Sequence, residues 1–191
     1  MKAWLPNALT LSRILAIPLL VATFYIESRV TGSWIAFVLF VIAGMTDYFD
    51  GLLARRFNVV SALGRFLDPI ADKLMVGAVI VMLTAMQYVE GVHVIAAVVI
   101  LLREILVSGL REYLAELSVS MPVSRLAKWK TAIQMIALGA LVWQPAAAEL
   151  GLPAHEVGVW GLWIAAGLTL FTGYDYLRAG LRHIGTNEGE T

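Results

Sequence analysis

Residues 47–72 read DYFDGLLARRFNVVSALGRFLDPIAD. Four of the chain's five aspartates, Asp47, Asp50, Asp68 and Asp72, fall inside these 26 residues, and the sequence around them is mostly apolar. Asp47 and Asp50 are three residues apart and Asp68 and Asp72 four apart, so on helices each pair occupies one face. The first pair ends one apolar segment and the second begins the next. A short return through residues 55–64 is therefore expected to bring the pairs together. Four carboxylates converging beside hydrocarbon repel one another at low dielectric, and ionisable groups in a membrane segment are by default functional. Two divalent cations would compensate them. Oxygen-only ligands favour Mg2+ or Mn2+ over zinc, and two close metals form a clamp for displacement at phosphorus. The purely structural alternative pairs Asp47 and Asp50 with Arg55 and Arg56 and makes Asp68 the cap of a helix opening at Pro69.

The small residues between the aspartates fit a ligand site. Gly51 lies one turn beyond Asp47 on the same face, where a missing side chain lets a ligand approach the backbone. Ala54 continues that small face, and Arg55 offers a planar fork suited to phosphate oxygens.

Composition sets the surroundings. The chain has 191 residues, 60% hydrophobic and 15% charged, against about 45–50% apolar and about 25% charged in soluble domains. The formal net charge is zero and there is no basic run, which argues against a nucleic-acid partner. Cysteine is absent, which excludes disulfides and thiolate metal sites. Lys2 is followed by an apolar run broken only by Arg13; it is too long for a signal-peptide core and is expected to be retained.

A bilayer core of about 30 Å takes roughly 20 apolar residues as helix. Six segments meet this, at 8–25, 33–53, 67–86, 92–114, 127–143 and 157–177. The expected fold is an all-α integral membrane protein with six transmembrane helices. It forms a single domain over 1–185, with a disordered tail at 186–191. Basic residues near span ends set the orientation. One side collects Lys2, Arg13, Arg55, Arg56, Arg65, Lys73, Arg111, Arg125, Lys128, Lys130, Arg178 and Arg182. The other has Arg29 with Glu27, Glu90, Glu149 and Glu156. Both termini and the aspartate stretch are therefore expected on the cytoplasmic side. Trp4, Trp34, Trp143 and Trp160 read as interfacial anchors, and Gly139, Gly161 and Gly167 as sites of close helix packing. His93 and His155 belong to the far face and His183 to the tail. Asp175 and Arg178, one turn apart, are expected to form a local ion pair.

A second polar cluster lies in later segments. Arg103 and Glu104 fall inside the fourth span, where an arginine costs at least ~2.5 kcal/mol. Arg111, seven residues beyond Glu104, suits an Arg–Glu brace; alternatively, one guanidinium binds an anionic ligand. In the next segment Ser124, Arg125, Lys128 and Thr131 cluster on one face, while Lys130 and Gln134 point elsewhere and Lys130 could simply snorkel. These cations, facing the carboxylate stretch, suit a ligand that carries a phosphate. A cation transporter would instead hold its carboxylates near mid-bilayer or on broken helices.

The pattern Asp47-x2-Asp50-Gly51-x2-Ala54-Arg55-x8-Gly64-x3-Asp68-x3-Asp72 resembles the signature of the CDP-alcohol phosphatidyltransferases at every position. The resemblance implies that Asp47, Asp50, Asp68 and Asp72 bind two metal ions holding the pyrophosphate of a CDP-linked lipid. It implies that Asp72 is also the general base, and that Gly51, Arg55 and Ser61 contact CDP, with Asn7 and Thr10 near the nucleotide. For those last two the plainer reading is a helix start after Pro6. The run from Leu102 to Glu116, Lys128-Trp-Lys-Thr131, Ala71-Asp72-Lys73, and Leu5-Pro-Asn-Ala-Leu-Thr10 with Arg13 are similar to the bacterial phosphatidylglycerophosphate synthase branch, over nearly all of the chain up to about Trp143. That similarity implies CDP-diacylglycerol as donor and sn-glycerol 3-phosphate as acceptor. Arg103, Arg111, Lys128 and Lys130 become candidates for the acceptor phosphate. A homodimer in the bacterial inner membrane is also implied. Inositol phosphate and phosphatidylglycerol are the alternative acceptors.

Overall fold

The computed structural model describes the backbone of residues 4–57, 62–116 and 125–187, and the side chains of 11–46, 67, 69–115, 126–174 and 177. These form six helices: α1 Trp4–Thr23, α2 Arg29–Phe57, α3 Ala62–Ala85, α4 His93–Glu116, α5 Arg125–Glu149 and α6 Ala154–Asn187. No strand occurs among the described residues.

Each predicted span has its helix, but the helices run past the apolar segments. α2 has 29 residues and α6 has 34. At 1.5 Å per residue these are about 44 and 51 Å long, well beyond a hydrocarbon core of about 30 Å. α6 remains helical through Asn187, so residues 186 and 187 are helical where a tail was expected; 188–191 lie outside the described residues. α5 passes through Pro145 to Glu149, although the sequence placed a connection from residue 144. α3 begins at Ala62, so Pro69 is inside it. Asp68 is therefore not a helix cap, and the structural alternative drawn for it fails. α1 likewise starts at Trp4 and includes Pro6, which removes the reading of Asn7 as a helix start.

α1 packs on α2 and α3, α3 on α4, α4 on α6, α6 on α5 and α5 on α2, closing a ring, and α3 touches α5 across it. Consecutive helices run antiparallel. Arg13 of α1 meets Asp72 of α3, Lys130 of α5 meets Glu104 of α4, and Arg103 of α4 meets Thr172 of α6. At the far end Phe24 lies 6.2 Å from Tyr88 and Trp163 Nε1 donates to His93 Nδ1 at 3.0 Å. His155 also contacts Gln144, at 2.6 Å, so both histidines belong to that far end. The turn from α5 to α6 closes with Leu152 N–H donating to Ala147 O at 3.0 Å around Gly151, whose φ is 70°. This is a left-handed helix stop that glycine adopts without cost.

The bundle buries many alanines along with large side chains such as Leu20 and Ile100, and leaves other large apolar side chains exposed. Ala36, Ala96, Ala137, Ala147 and Ala165 are at most 1% exposed, while Leu15, Leu19, Ile105, Ile136 and Trp160 exceed 60%. A soluble protein rarely leaves such apolar area open. In lipid it costs nothing, and close packing of small residues becomes the main association force. Among the described residues, α2, α4, α5 and α6 are long and apolar enough to cross a membrane. These features describe a multi-pass membrane protein.

The α5–α6 seam shows this packing. A Cβ built on Gly158 would lie 2.5 Å from Leu141 Cγ, and one on Gly161 would lie 2.8 Å from Ala137 Cβ. Gly139 has only ordinary contacts with Phe37 and Phe40, and Gly167 meets nothing within 4 Å. Of the three glycines expected at close approaches, only Gly161 is at one. Gly158→Ala should lower the melting temperature in detergent, because overpacking costs roughly 1–3 kcal/mol of stability. Gly167→Ala should leave it unchanged. Equal melting temperatures for both variants would refute the tight seam. Trp143, expected as an interfacial anchor, instead packs between α2 and α5, 5.1 Å from Trp34 and 5.2 Å from Phe37, ring to ring.

Candidate active site

At the end of the bundle shared by the starts of α1, α3 and α5 and the later parts of α2 and α4 lies a cavity of about 500 Å3. Its polar lining is Arg13, Asp72, Lys73, Arg103, Glu104, Arg111, Lys130, Thr131 and Gln134. Ala43 and Gly44 form its wall on α2.

Arg13 is buried, 3% exposed, and its Nη1 donates to Asp72 Oδ1 at 2.7 Å. The Asp72 side chain is half exposed on the cavity wall. One helical turn earlier, Pro69 O accepts from Lys73 Nζ at 3.0 Å.

On the opposite wall Glu104 joins two cations. Its Oε1 accepts from Lys130 Nζ of α5 and lies 3.5 Å from Arg103 Nη1. Arg103 Nη2 donates to Thr172 Oγ1 of α6 at 3.2 Å, and that hydroxyl donates to Leu168 O at 2.8 Å. Thus one carboxylate and one guanidinium tie α4, α5 and α6 together around a cavity otherwise rich in positive charge. Gly173 makes room for Arg103, whose Cγ would lie 3.3 Å from a Cβ there. The brace anticipated between Glu104 and Arg111 does not form among the described residues, because Lys130 and Arg103 occupy Glu104. Arg111 lines the cavity instead.

The face assignment on α5 is reversed. Ala127, Lys130, Thr131 and Gln134, at helical spacing, line the cavity, and Lys130 and Gln134 are each 2% exposed. Lys128 is exposed and does not line it. The reason is tertiary: Glu104, 26 residues away in sequence, draws in Lys130, while Lys128, two residues earlier, is turned about 160° away from it.

Asp47, Asp50, Gly51 and Arg55 lie on one unbroken helix, α2, and Asp68 shares α3 with Asp72. Asn7 and Thr10 are in α1. The side chains of Asn7, Thr10, Asp47, Asp50, Arg55, Asp68 and Arg125 are outside the described set, as are those of Asp175 and Arg178. Ser61 and Ser124 lie outside the described residues. Arg13 was named in the sequence without a role in the site, and Thr172 was not named at all. Arg13 did leave a signal, being an arginine in an apolar run where an uncompensated charge is costly. Thr172 left none.

The model for the CDP-alcohol phosphatidyltransferase family matches residues 3–171, and the chain belongs to that family. It is thus an enzyme class whose name joins a CDP-alcohol to phosphatidyl transfer. Among curated relatives, the chain is 51% identical over 178 residues, 92% of its length and 94% of the relative's, to a protein of Rickettsia bellii (strain RML369-C). It is 42% identical over 177 residues to one of Pectobacterium atrosepticum, covering 92% of this chain and 93% of the relative. One from Cereibacter sphaeroides is 35% identical over 213 aligned positions, covering 94% and 96%. All three carry the name CDP-diacylglycerol–glycerol-3-phosphate 3-phosphatidyltransferase.

Proposed function

We propose that this chain transfers the phosphatidyl group of CDP-diacylglycerol to sn-glycerol 3-phosphate, giving phosphatidylglycerophosphate and CMP. The observation that carries the reading is the single cavity where the Asp72 carboxylate shares one space with Arg103, Arg111 and Lys130. A phosphorylated alcohol needs both: cations for its phosphate, and a base for its hydroxyl. Relatives named for this reaction support the same reading.

In this reaction Asp72 takes the proton from the C1 hydroxyl of the acceptor. That oxygen attacks the phosphorus bearing diacylglycerol, the bond from this phosphorus to the bridging oxygen of the CMP phosphate breaks, and CMP leaves. Arg13, through its 2.7 Å hydrogen bond, holds the carboxylate toward the cavity. Arg103, Arg111 and Lys130 orient the acceptor phosphate. Gly51, Arg55, Ser61, Asn7 and Thr10 are assigned to the CDP moiety.

Asp47, Asp50, Asp68 and Asp72 would hold two ions, Mg2+ or Mn2+. The donor set is all carboxylate oxygen in a chain without cysteine, which suits hard cations. Asp72, half exposed on the cavity wall, would complete that set. When bound, the ions would neutralise charge on the pyrophosphate. All six helices are assigned as membrane spans with both termini and the cavity on the cytoplasmic side of a bacterial inner membrane, and the protein as a homodimer.

The test is CMP release by purified protein with CDP-diacylglycerol, Mg2+ and either sn-glycerol 3-phosphate or inositol phosphate. Release is expected with the first alone, and to stop when the metal is chelated. Release with inositol phosphate alone sinks the acceptor assignment. Arg111→Ala should raise the KM for glycerol 3-phosphate by roughly 10-fold or more, as loss of a charged hydrogen bond implies, with little change in the KM for CDP-diacylglycerol.

A further inference from the structure

Gln134 lines the cavity on α5 one turn beyond Lys130. It is 2% exposed, and its carbonyl oxygen Oε1 is buried without a hydrogen-bond partner. Native proteins rarely leave a buried acceptor unsatisfied, and such exceptions call for a cause. The cavity carries donors, among them Arg103, Lys130 and Thr131, yet none of them reaches this oxygen. The terminal amide torsion of glutamine is broad, so the oxygen can turn into the cavity while the rest of the side chain stays in place.

The chemistry of that oxygen selects what it recognises. It accepts hydrogen bonds, so a phosphate oxygen would meet it lone pair to lone pair. A hydroxyl complements it. Arg103, Arg111 and Lys130 in the same cavity already provide for a phosphate, and Asp72 provides for the hydroxyl that reacts.

We propose that Gln134 is a specificity-determining residue whose carboxamide accepts a hydrogen bond from the non-reacting C2 hydroxyl of the acceptor alcohol. This rests on the reading of sn-glycerol 3-phosphate as acceptor. The three polar groups of that molecule are then recognised separately: the phosphate by Arg103, Arg111 and Lys130, the C1 hydroxyl by Asp72, and the C2 hydroxyl by Gln134. The ribose of the donor's cytidine is another source of hydroxyl, and the choice of substrates distinguishes the two.

The experiment measures kcat/KM of the full-length protein in mixed micelles with Mg2+ and CDP-diacylglycerol, for sn-glycerol 3-phosphate and for 3-hydroxypropyl phosphate, which lacks the C2 hydroxyl. A site built to bond a hydroxyl rejects the analogue without it, so the wild type should favour glycerol 3-phosphate by roughly 10²-fold or more. Gln134→Met, similar in volume and lacking an acceptor oxygen, should lose activity with glycerol 3-phosphate and little with the analogue, so that the preference collapses. Gln134→Glu keeps an acceptor oxygen at the same reach and should retain the preference. Equal losses on both acceptors in Gln134→Met overturn the proposal in favour of a packing role. A wild type indifferent to the C2 hydroxyl overturns it without any variant having to fold. If Gln134→Met changes discrimination between CDP-diacylglycerol and its 2′-deoxyribose form, but not between acceptors, the contact is to ribose and the proposal falls. Failure of the wild type to release CMP with glycerol 3-phosphate defeats the parent reading instead, and is distinguishable from all of these.

Discussion

Asp72→Asn is expected to lower turnover by roughly 10²–10⁴-fold, the range that a positioned general base contributes, while the protein stays folded and still binds donor. Asparagine has the size of aspartate and keeps a side-chain oxygen to accept from Arg13 Nη1, which now donates to Asp72 Oδ1 at 2.7 Å. The half-exposed position of Asp72 also lets water solvate the amide. What asparagine cannot do is take a proton from the acceptor hydroxyl. CMP release gives the rate, and the thermal shift on adding CDP-diacylglycerol with Mg2+ reports donor binding. Turnover within 10-fold of wild type would remove Asp72 from the base role. An equal loss of donor binding in Asp47→Asn and Asp72→Asn would reduce Asp72 to one more acidic ligand.

The fold was legible where the signal was local. Apolar segments of about 20 residues located all six helices, because hydrocarbon obliges the backbone to bond within itself. Helix ends were less legible, since hydropathy records where lipid ends and not where the chain stops being helical. α5 through Pro145 and α3 through Pro69 illustrate the difference. Proline reads as a breaker in isolation, yet in a packed bundle its neighbours absorb the lost bond.

The site was legible in part. Arg103, Arg111 and Lys130 stood out as charges in or beside spans, and all three line the cavity. The α5 face was misread because the sequence grouped Lys128 with Ser124, Arg125 and Thr131 by local clustering of polar residues. Which lysine turns inward depends on Glu104 of α4, and one helix's own pattern cannot show that. Arg13 was visible as a charge, but its partner Asp72 is 59 residues away.

Glu104→Gln is expected to destabilise the resting protein and to make it more responsive to acceptor. The carboxylate, 19% exposed, contacts Lys130 Nζ and lies 3.5 Å from Arg103 Nη1. The Lys130 side chain is only 3% exposed. Removing one member of such a pair leaves charge buried without its counter-charge, which costs about 3–5 kcal/mol. The melting temperature in detergent should therefore fall in the absence of substrate. Glycerol 3-phosphate brings a negative charge of its own into the cavity, so it should raise the melting temperature of the variant more than that of the wild type. A ligand stabilises in proportion to its preference for the folded state, and here it would replace a lost partner. Lys130→Met should act on the other side of the pair, raising the KM for glycerol 3-phosphate by roughly 10–100-fold with little effect on the donor. Lys128→Met, at an exposed position off the cavity, should leave both near wild type. Equal thermal shifts in Glu104→Gln and wild type would mean that the phosphate binds away from this pair. An effect of Lys128→Met larger than that of Lys130→Met would return the acceptor to the face that the sequence suggested. Both outcomes are separable from loss of fold, because each is read as a ratio between substrates or between ligand-bound and ligand-free protein.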